Sequence, residues 1–435
     1  MSDKGIGIGL AGAGTVGGGV VKVFREREGF FRRELRLPLR LSHIVDAEAS
    51  RIAKLPTGDA HCSARLGDIL EDPDIGIAIE LIGGTGIARD FILAALAKGK
   101  HVVTANKALL ALHGPEIFET AERNDVSVYF EAAVGGGMPV IKTIREAMVG
   151  NHVSSVKTII NGTCNYILTR MTAQGLSFAE ALKEAQARGY AEADPTLDVG
   201  GGDSGHKVAI LASLLHAGFV PFSELSVEGI SELTPEDIEY AGELGYVVKL
   251  LGIIEREGDE APIEARVHPS MLKKGHILAS VSDAFNAVLL RGSNVGDVLL
   301  YGKGAGELPT ASAVMSDITD AARDILGGTP RRMSMDYYRE SKRLPLKPLG
   351  EHVSRYYLRF SVVDRPGVLA SIASIFGKHS ISIASVVQRE AVEGQSIPVI
   401  FLTHEAVEAN LRAAIAEIAA MDFNRAVTQV IRMED

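Results

Sequence analysis

GIGIGLAGAGTVGGGVVKV, residues 5–23, is the stretch on which the fold turns. It reads as a short buried strand, a glycine turn and the start of a helix. Within it Gly12-Ala13-Gly14-Thr15-Val16-Gly17 forms a G-x-G-x-x-G pattern. The first two glycines permit a tight turn and close approach of a pyrophosphate to backbone N–H groups, and the third lets helix and strand pack closely. The plain alternative is a structural glycine turn. Outward from this stretch, apolar runs recur: 39–45 ends at Asp46, 75–82 ends in GGTG, HVVTANK ends at Lys107, and VSVYFE ends at Glu131. Helical segments at 88–98 and 115–124 fall between them. Such alternation predicts a parallel sheet wrapped by helices, with ligands at the carboxyl ends of the strands. Residues 1–135 are thereby expected to form a dinucleotide-binding domain.

The remaining chain is too long for a single core, since the whole has 435 residues. A formal charge of −10 argues against binding to a nucleic-acid backbone, and basic pairs such as Arg32-Arg33 and Arg331-Arg332 are short. Two distant cysteines, Cys62 and Cys164, argue against a disulfide framework and fit a reducing compartment. The first residues lack a basic leader, and glycines interrupt their apolar run well short of a membrane span. The expectation is a cytoplasmic globular protein without nucleic-acid or membrane partners.

AAVGGGMPV (132–140) marks a domain boundary. Beyond it Ser177 and Glu180 form a capping-box pattern, and Gly189 supplies a helix stop. Segments near 263–267 and 279–290 suggest a sheet, and this second region, 136–328, ends after a loop that leads into a helix. Residues 329–354 carry Pro, Arg and Lys without periodicity and read as a linker. The last part, 355–435, repeats strand, helix, strand, strand, helix, strand: a βαββαβ unit of ferredoxin-like type.

Several residues can carry chemistry. Asp46, at a strand end, can accept hydrogen bonds from a ribose and repel a 2′-phosphate, or serve as a cap or turn residue. Lys107 projects where a nicotinamide would lie, or is a surface lysine. Around Glu131 the carbonyls of EAAVGGG can bind a cation. In GYAEADPTLDVGGGDSGHKVAIL (189–211) Glu192, Asp194, Asp198 and Asp203 crowd around glycines ahead of Lys207. Asp203 and Lys207, four apart, share a helix face, and Asp203 is also a plausible N-cap. A metal reading lacks the alternation of a calcium loop and the histidines of a zinc site. A pocket for a small zwitterion accounts for the pattern better: carboxylates hold an ammonium, and a lysine serves an alkoxide formed or consumed by hydride transfer.

These residues resemble the homoserine dehydrogenase family. The family's signature is met by Ala185, Gly189, Asp194-Pro195, Asp198, Val199, Gly201, Asp203 and Lys207. GLAGAGTVGGGV, TANKALL, EAAVGGGMPVI, NGTCNYIL and GAGELPTASAV are similar to the family's other blocks, in its order. DRPGVLASIASIF resembles an ACT domain, an amino-acid-sensing module. The resemblance implies an α/β chain with a Rossmann-type nucleotide-binding domain, an α+β catalytic and dimerisation domain, and a C-terminal ferredoxin-like ACT domain. It implies nicotinamide-dependent interconversion of L-aspartate 4-semialdehyde and L-homoserine, on the route to threonine, methionine and isoleucine. Lys207 and Lys107 become the proton-transfer candidates, with Asp203 orienting Lys207. Glu192 and Asp198 would hold substrate, with Gly162 and Lys107 beside it. Gly12, Gly14, Thr15, Val16, Gly17, Asp46, Lys107 and Glu307 would approach the cofactor. Glu131, Val134, Gly136 and Met138 would hold a structural Na+ or K+ largely through main-chain oxygens. The family also implies that helix 310–326 returns to the nucleotide-binding domain, and it implies a homodimer through the middle sheet, or a homotetramer, and an amino-acid effector such as threonine near Asp364, Gly367 and His379.

Two departures qualify the resemblance. Many NADP-using members carry an arginine just before the acid at the second strand's end, where this chain has Val45. NAD or dual use is therefore expected, with Arg51 as a phosphate partner. In the sensing module an asparagine is usual after the helix, where this chain has His379 and Ser380. Two other readings are a sensor whose dehydrogenase body has lost catalysis and a dehydrogenase for another small amino acid. The intact acidic block with its lysines disfavours both.

Overall fold

The computed structural model describes residues 5–258, 260–329, 338–389 and 396–434. The stretch at 5–23 becomes strand β1 (Ile6–Ala11), a turn and a helix over Thr15–Arg33. It is joined by β2 (Leu39–Val45), β3 (His61–Ser63), β4 (Ile75–Glu80), β5 (His101–Thr104) and β6 (Val128–Tyr129). The six make one sheet of order β3-β2-β1-β4-β5-β6, and every pairing is parallel. Strand order reverses between β1 and β4, so a crevice opens beyond their carboxyl ends. Helix Glu307–Gly327 returns from far along the chain and packs on this sheet. Ala311, Val314 and Ile318 share one core with Val20, Val21 and Ile8.

Two of the expected strands end early. HVVTANK stops being strand at Thr104, because Asn106 caps a helix: its side chain accepts from Leu109 N. Lys107 is thus the first residue of helix Lys107–Arg123, which is kinked at His113, instead of a strand terminus. Likewise β6 ends at Tyr129, and Glu131 opens a 3-10 turn, Glu131–Ala133. Its backbone N–H donates to Asp317 on the returning helix, which draws the chain out of the sheet.

The second sheet has eleven strands. From the middle of the chain come β7 (Val153–Ile159), β8 (Ser226–Val227), β9 (Tyr246–Glu255), β10 (Glu264–Lys273), β11 (Phe285–Gly292) and β12 (Gly296–Lys303). The remainder are β13 (Val353–Val363), β14 (Ile383–Gln388), β15 (Ser396–Thr403), β16 (Ala406–Val407) and β17 (Gln429–Glu434). Its main order is β12-β11-β7-β9-β10-β17-β13-β15-β14. The C-terminal unit has the expected βαββαβ order, with helices Val368–Lys378 and Glu408–Ala419. Its last strand pairs in parallel with β10, Ser270 facing Arg432 and Leu272 facing Glu434, so the two units share one continuous sheet. Residues 330–337 of the expected linker lie outside the described residues. Its later part runs along the middle unit: Leu344 N donates to Phe219 O, and Lys347 N to Ile263 O.

Helices Gly162–Gln174, Phe178–Ala187 and Gly202–Leu215 pack with this sheet in one core that includes Leu168, Ala181, Leu211, Ile254 and Val267. The capping box of Ser177 and Glu180 forms as the spacing predicts. Among the described residues no helix is long and apolar enough to cross a membrane.

Candidate functional site

A cleft of about 1360 Å³ runs between the parallel sheet and the middle unit. At its nucleotide end lies the glycine turn. Gly12 has φ +97°, and a Cβ there would stand 2.4 Å from Leu81 O. A Cβ on Gly17 would meet Gly12 O at 1.9 Å, so only glycine allows the helix to start this close to β1. A Cβ on Gly14 would meet nothing within 4 Å. The turn thus presents open space beside Thr15 and Val16 at a helix N-terminus, which suits a pyrophosphate. Val16 and Glu307 line the cleft. Glu307 opens its helix and accepts from Lys22 Nζ at 2.7 Å.

Asp46 stands at the end of β2 with its carboxylate almost fully covered. Oδ2 accepts from Ala13 N at 2.7 Å and Oδ1 from Glu48 N at 2.8 Å. Its first duty is therefore to hold the glycine turn, a link that local pattern did not predict. Arg51 is 3.6 Å from Asp46 and donates to Glu48 at 2.6 Å, with its guanidinium half-exposed.

The substrate end gathers the acidic block. Helix Gly202–Leu215 begins after Gly201, which takes the N-cap place, so Asp203 lies inside the first turn and is not the cap. That turn buries Asp203 and aims it at two lysines. Lys207 Nζ donates to Asp203 Oδ2 at 2.7 Å and to Ile160 O at 2.7 Å. Lys107 Nζ lies 3.0 Å from Asp203 Oδ1. Asn161 adds a second bridge: its Nδ2 donates to Asp198 Oδ1 at 2.7 Å and to Asp203 Oδ2 at 2.9 Å. Its Oδ1 accepts from Cys164 N, capping the helix that starts at Gly162. Reading the sequence singled out Gly162 and missed Asn161. The available signal was an asparagine directly ahead of a helical segment.

Charge and burial set the protonation of this cluster. Burial alone would raise the Asp203 pKa, but Lys207 first and Lys107 second override it and hold the carboxyl well below its usual range. Burial holds the Lys207 pKa below the ordinary lysine value, with Asp203 offsetting only part. Burial also pulls on Lys107, yet there Asp203, Asp198 and Glu192 together win and raise it. Burial raises the Asp198 pKa against the Asn161 hydrogen bond. Glu192 is exposed and, like Gly162 and Asp198, lines the cleft. Asp194 turns away: its Oδ1 accepts from Thr196 N and Oγ1, shaping the turn before Pro195.

Behind the cleft, Glu131 is buried, and its carboxylate accepts from Ile141 N and Lys142 N at 2.8 Å each. Val134 and Met138 are buried beside it, and Gly136 lines the cleft with φ +52°. Far from the cleft, Asp364 and Gly367 lie on the exposed turn before helix Val368–Lys378. His379 Nε2 is 2.8 Å from Glu417 Oε2 of the neighbouring helix. Ser380 takes φ +58°, a conformation that asparagine adopts more readily than serine.

The chain matches three family models in order. They are the homoserine dehydrogenase NAD-binding domain over residues 12–131, homoserine dehydrogenase over 139–319, and the ACT domain over 356–422. It is 42% identical to a homoserine dehydrogenase of Neisseria gonorrhoeae over 433 residues, 99% of each chain. It is 41% identical to that of Pseudomonas aeruginosa, over 96% of each. The crystal structure of a homoserine dehydrogenase from Thiobacillus denitrificans superposes with a TM-score of 0.93 at 42% identity, covering 99% of this chain and 98% of that one. A hyperthermophilic archaeal homoserine dehydrogenase in complex with NADPH matches with a TM-score of 0.62 at 26% identity, over 73% of this chain and 98% of its own. On its sequence, its fold and the make-up of its cleft, the chain belongs to the homoserine dehydrogenase family.

Proposed function

We infer that the chain interconverts L-homoserine and L-aspartate 4-semialdehyde with a nicotinamide cofactor, in the biosynthesis of threonine, methionine and isoleucine. The observation that carries this reading is Asp203 bridging Lys207 and Lys107 in a cleft whose other end is the glycine turn. Hydride transfer to or from the substrate's alcohol carbon is the chemistry a bound nicotinamide would supply. Gly12, Gly14, Thr15, Val16 and Gly17 would hold its pyrophosphate, with Glu307 and Lys107 nearer the reacting end.

In the oxidising direction the hydroxyl proton must leave as hydride does. A neutral Lys207 has two N–H bonds, which match its two acceptors, Ile160 O and Asp203 Oδ2. Its lone pair is then free to take the proton, and its lowered pKa makes that form accessible at alkaline pH. Lys107 keeps its charge and steadies negative charge growing on the substrate oxygen. Glu192 and Asp198 hold the substrate ammonium, with Gly162 at the cleft wall. Asp203 orients Lys207, and Asn161 keeps Asp198 and Asp203 together.

NAD or dual use is the cofactor reading. Asp46 places a carboxylate near the ribose position, whereas Arg51 offers a guanidinium for a 2′-phosphate. A sodium or potassium ion would sit among the main-chain oxygens of Glu131, Val134, Gly136 and Met138. Among the described residues the carbonyls of Val134 and Gly136 accept no backbone hydrogen bond, whereas those of Glu131 and Met138 accept from Val134 N and Val140 N, so the fit rests on the first two. The domain reading is 1–135 joined by helix Glu307–Gly327, then 136–328, the 329–354 linker, and 355–435. The last unit would bind an amino acid such as threonine at Asp364, Gly367 and His379. The edges β12 and β14 supply two surfaces for a dimer or tetramer. Composition supports a cytoplasmic setting.

The test is homoserine-dependent reduction of NAD+ and NADP+ by purified protein at alkaline pH, with potassium present. Turnover with homoserine is expected; folded protein inactive with both cofactors would overturn the reading.

A further inference from the structure

An ionic clasp, buried at Arg432 and Glu408 and half-exposed at Glu228, where Arg412 also reaches to 3.4 Å, joins the C-terminal unit to the floor of the substrate site. Arg432, in the middle of β17, is 1% exposed. Its fork grips Glu228 twice, Nη1 to Oε2 and Nη2 to Oε1, each at 2.9 Å. The same guanidinium donates to Glu408 at 2.8 and 3.0 Å, and Tyr356 OH donates to Glu408 at 2.8 Å. Two planar bonds to one carboxylate fix its direction as well as its distance. Arg432, Glu408 and Tyr356 all belong to the C-terminal unit; Glu228 belongs to the middle unit and follows β8.

The backbone at Glu228 lies directly against the acidic block. Glu228 N donates to Val267 O, and Ile230 N donates to Val199 O, both at 2.8 Å. A Cβ on Gly229 would stand 2.2 Å from Val199 O. One on Gly201 would stand 3.1 Å from Glu228 O. Asp198 immediately precedes this contact, and Asp203 immediately follows it on helix Gly202–Leu215. The acidic block is thus seated on the segment that Arg432 holds.

We propose that Glu228 is a positioning residue for homoserine binding: gripped by Arg432, it seats residues 226–230 under Val199–Gly201 and so sets the spacing of Asp198 and Asp203, linking the C-terminal unit to the substrate site. The proposal rests on the homoserine dehydrogenase reading and adds a route by which the C-terminal unit acts on substrate affinity. It does not touch the nucleotide end, where the glycine turn is held by Asp46.

The test uses full-length protein carrying Glu228→Gln, Arg432→Lys and both together. Glu228→Gln is expected to raise the homoserine KM about tenfold while the cofactor KM stays within about twofold. The double variant is expected to match the worse single one, because both changes break the same contact. A homoserine KM within twofold of wild type would overturn the proposal. So would a matched rise in both KM values, or multiplying effects in the double variant. If Glu228→Gln does not fold, Arg432→Lys, which keeps the buried charge but loses the fork, carries the same test. Amide hydrogen exchange gives a reading independent of turnover. Residues 198–203 should exchange faster in the variant while residues 12–17 do not, and unchanged exchange at 198–203 would overturn the clasp. Variants that exchange as described, beside a folded wild type that fails to oxidise homoserine, would instead sink the functional reading.

Discussion

Asp203 divides its carboxylate between two lysines, giving Oδ2 to Lys207 at 2.7 Å and Oδ1 to Lys107 at 3.0 Å. Asp203 thereby couples the two lysines, and Asp198 adds its attraction to both. Burial lowers the Lys207 pKa below the ordinary lysine value, whereas at Lys107 the neighbouring carboxylates outweigh burial and raise it. On the proposed mechanism the pair divides into a proton acceptor and a fixed cation, and the division follows from how burial and the carboxylates balance at each lysine.

Replacing Asp203 with Asn should lower kcat for homoserine oxidation by about 100-fold. Asp203 raises the Lys207 pKa, so its loss lowers that pKa further. The acid limb of the oxidation rate should therefore move to lower pH. A pH profile of kcat checks both effects, and a limb shifted to higher pH would contradict the account.

Asn161→Ala removes both the bridge between Asp198 and Asp203 and a helix cap. The cap loss should cost about 1 kcal/mol of stability. The lost bridge should raise the homoserine KM about tenfold. Asn161→Ser restores a capping oxygen without the bridging amide, so it should recover the melting temperature and keep the high KM. Thermal melts and steady-state kinetics on both variants separate the two effects.

Arg51→Ala should leave NAD use within about twofold and lower kcat/KM for NADP at least fivefold, on the order of one lost exposed charge contact to a phosphate. Parallel titrations of both cofactors check this. Equal losses with both would show that Arg51 serves the turn around Asp46 and not a 2′-phosphate.

Lys249 is buried on β9, donating to Val281 O at 2.5 Å and Asn165 Oδ1 at 3.2 Å, and burial lowers its pKa to about 8. An unfolded chain returns it to about 10.4. Between those values the unfolded state binds more protons, so this group makes stability rise with pH through that window. Denaturant unfolding from pH 7 to 10.5 should show a rise in wild type that Lys249→Met lacks.

Much of this was readable locally. The glycine turn, the Ser177 capping box and the C-terminal alternation each depend on spacing within a few residues, and each folds as spaced. What escaped depends on partners far along the chain. Arg432 sits in a short strand where a lone arginine reads as solvent-facing, yet Glu228 and Glu408 bury it. The pairing of β17 with β10 leaves no periodic trace in either segment. Asp46 could be read as a ribose acceptor or a turn residue, but its bond to Ala13 N depends on how β1 and β2 align. Lys107 stands three residues past the end of β5 because Asn106 caps a helix there. Each lysine was identifiable; their sharing of Asp203 became visible only once helix Lys107–Arg123 met helix Gly202–Leu215.

The most direct measurement is the pH dependence of kcat/KM for homoserine oxidation in wild type and Lys207→Met. In wild type the rate should rise with pH along a limb of unit slope and level off below the ordinary lysine range, because only neutral Lys207 takes the hydroxyl proton. In Lys207→Met the rate should fall by about 10²–10⁴-fold and the limb should vanish. A folded variant that keeps both the rate and the limb would contradict the assignment of Lys207 as proton acceptor.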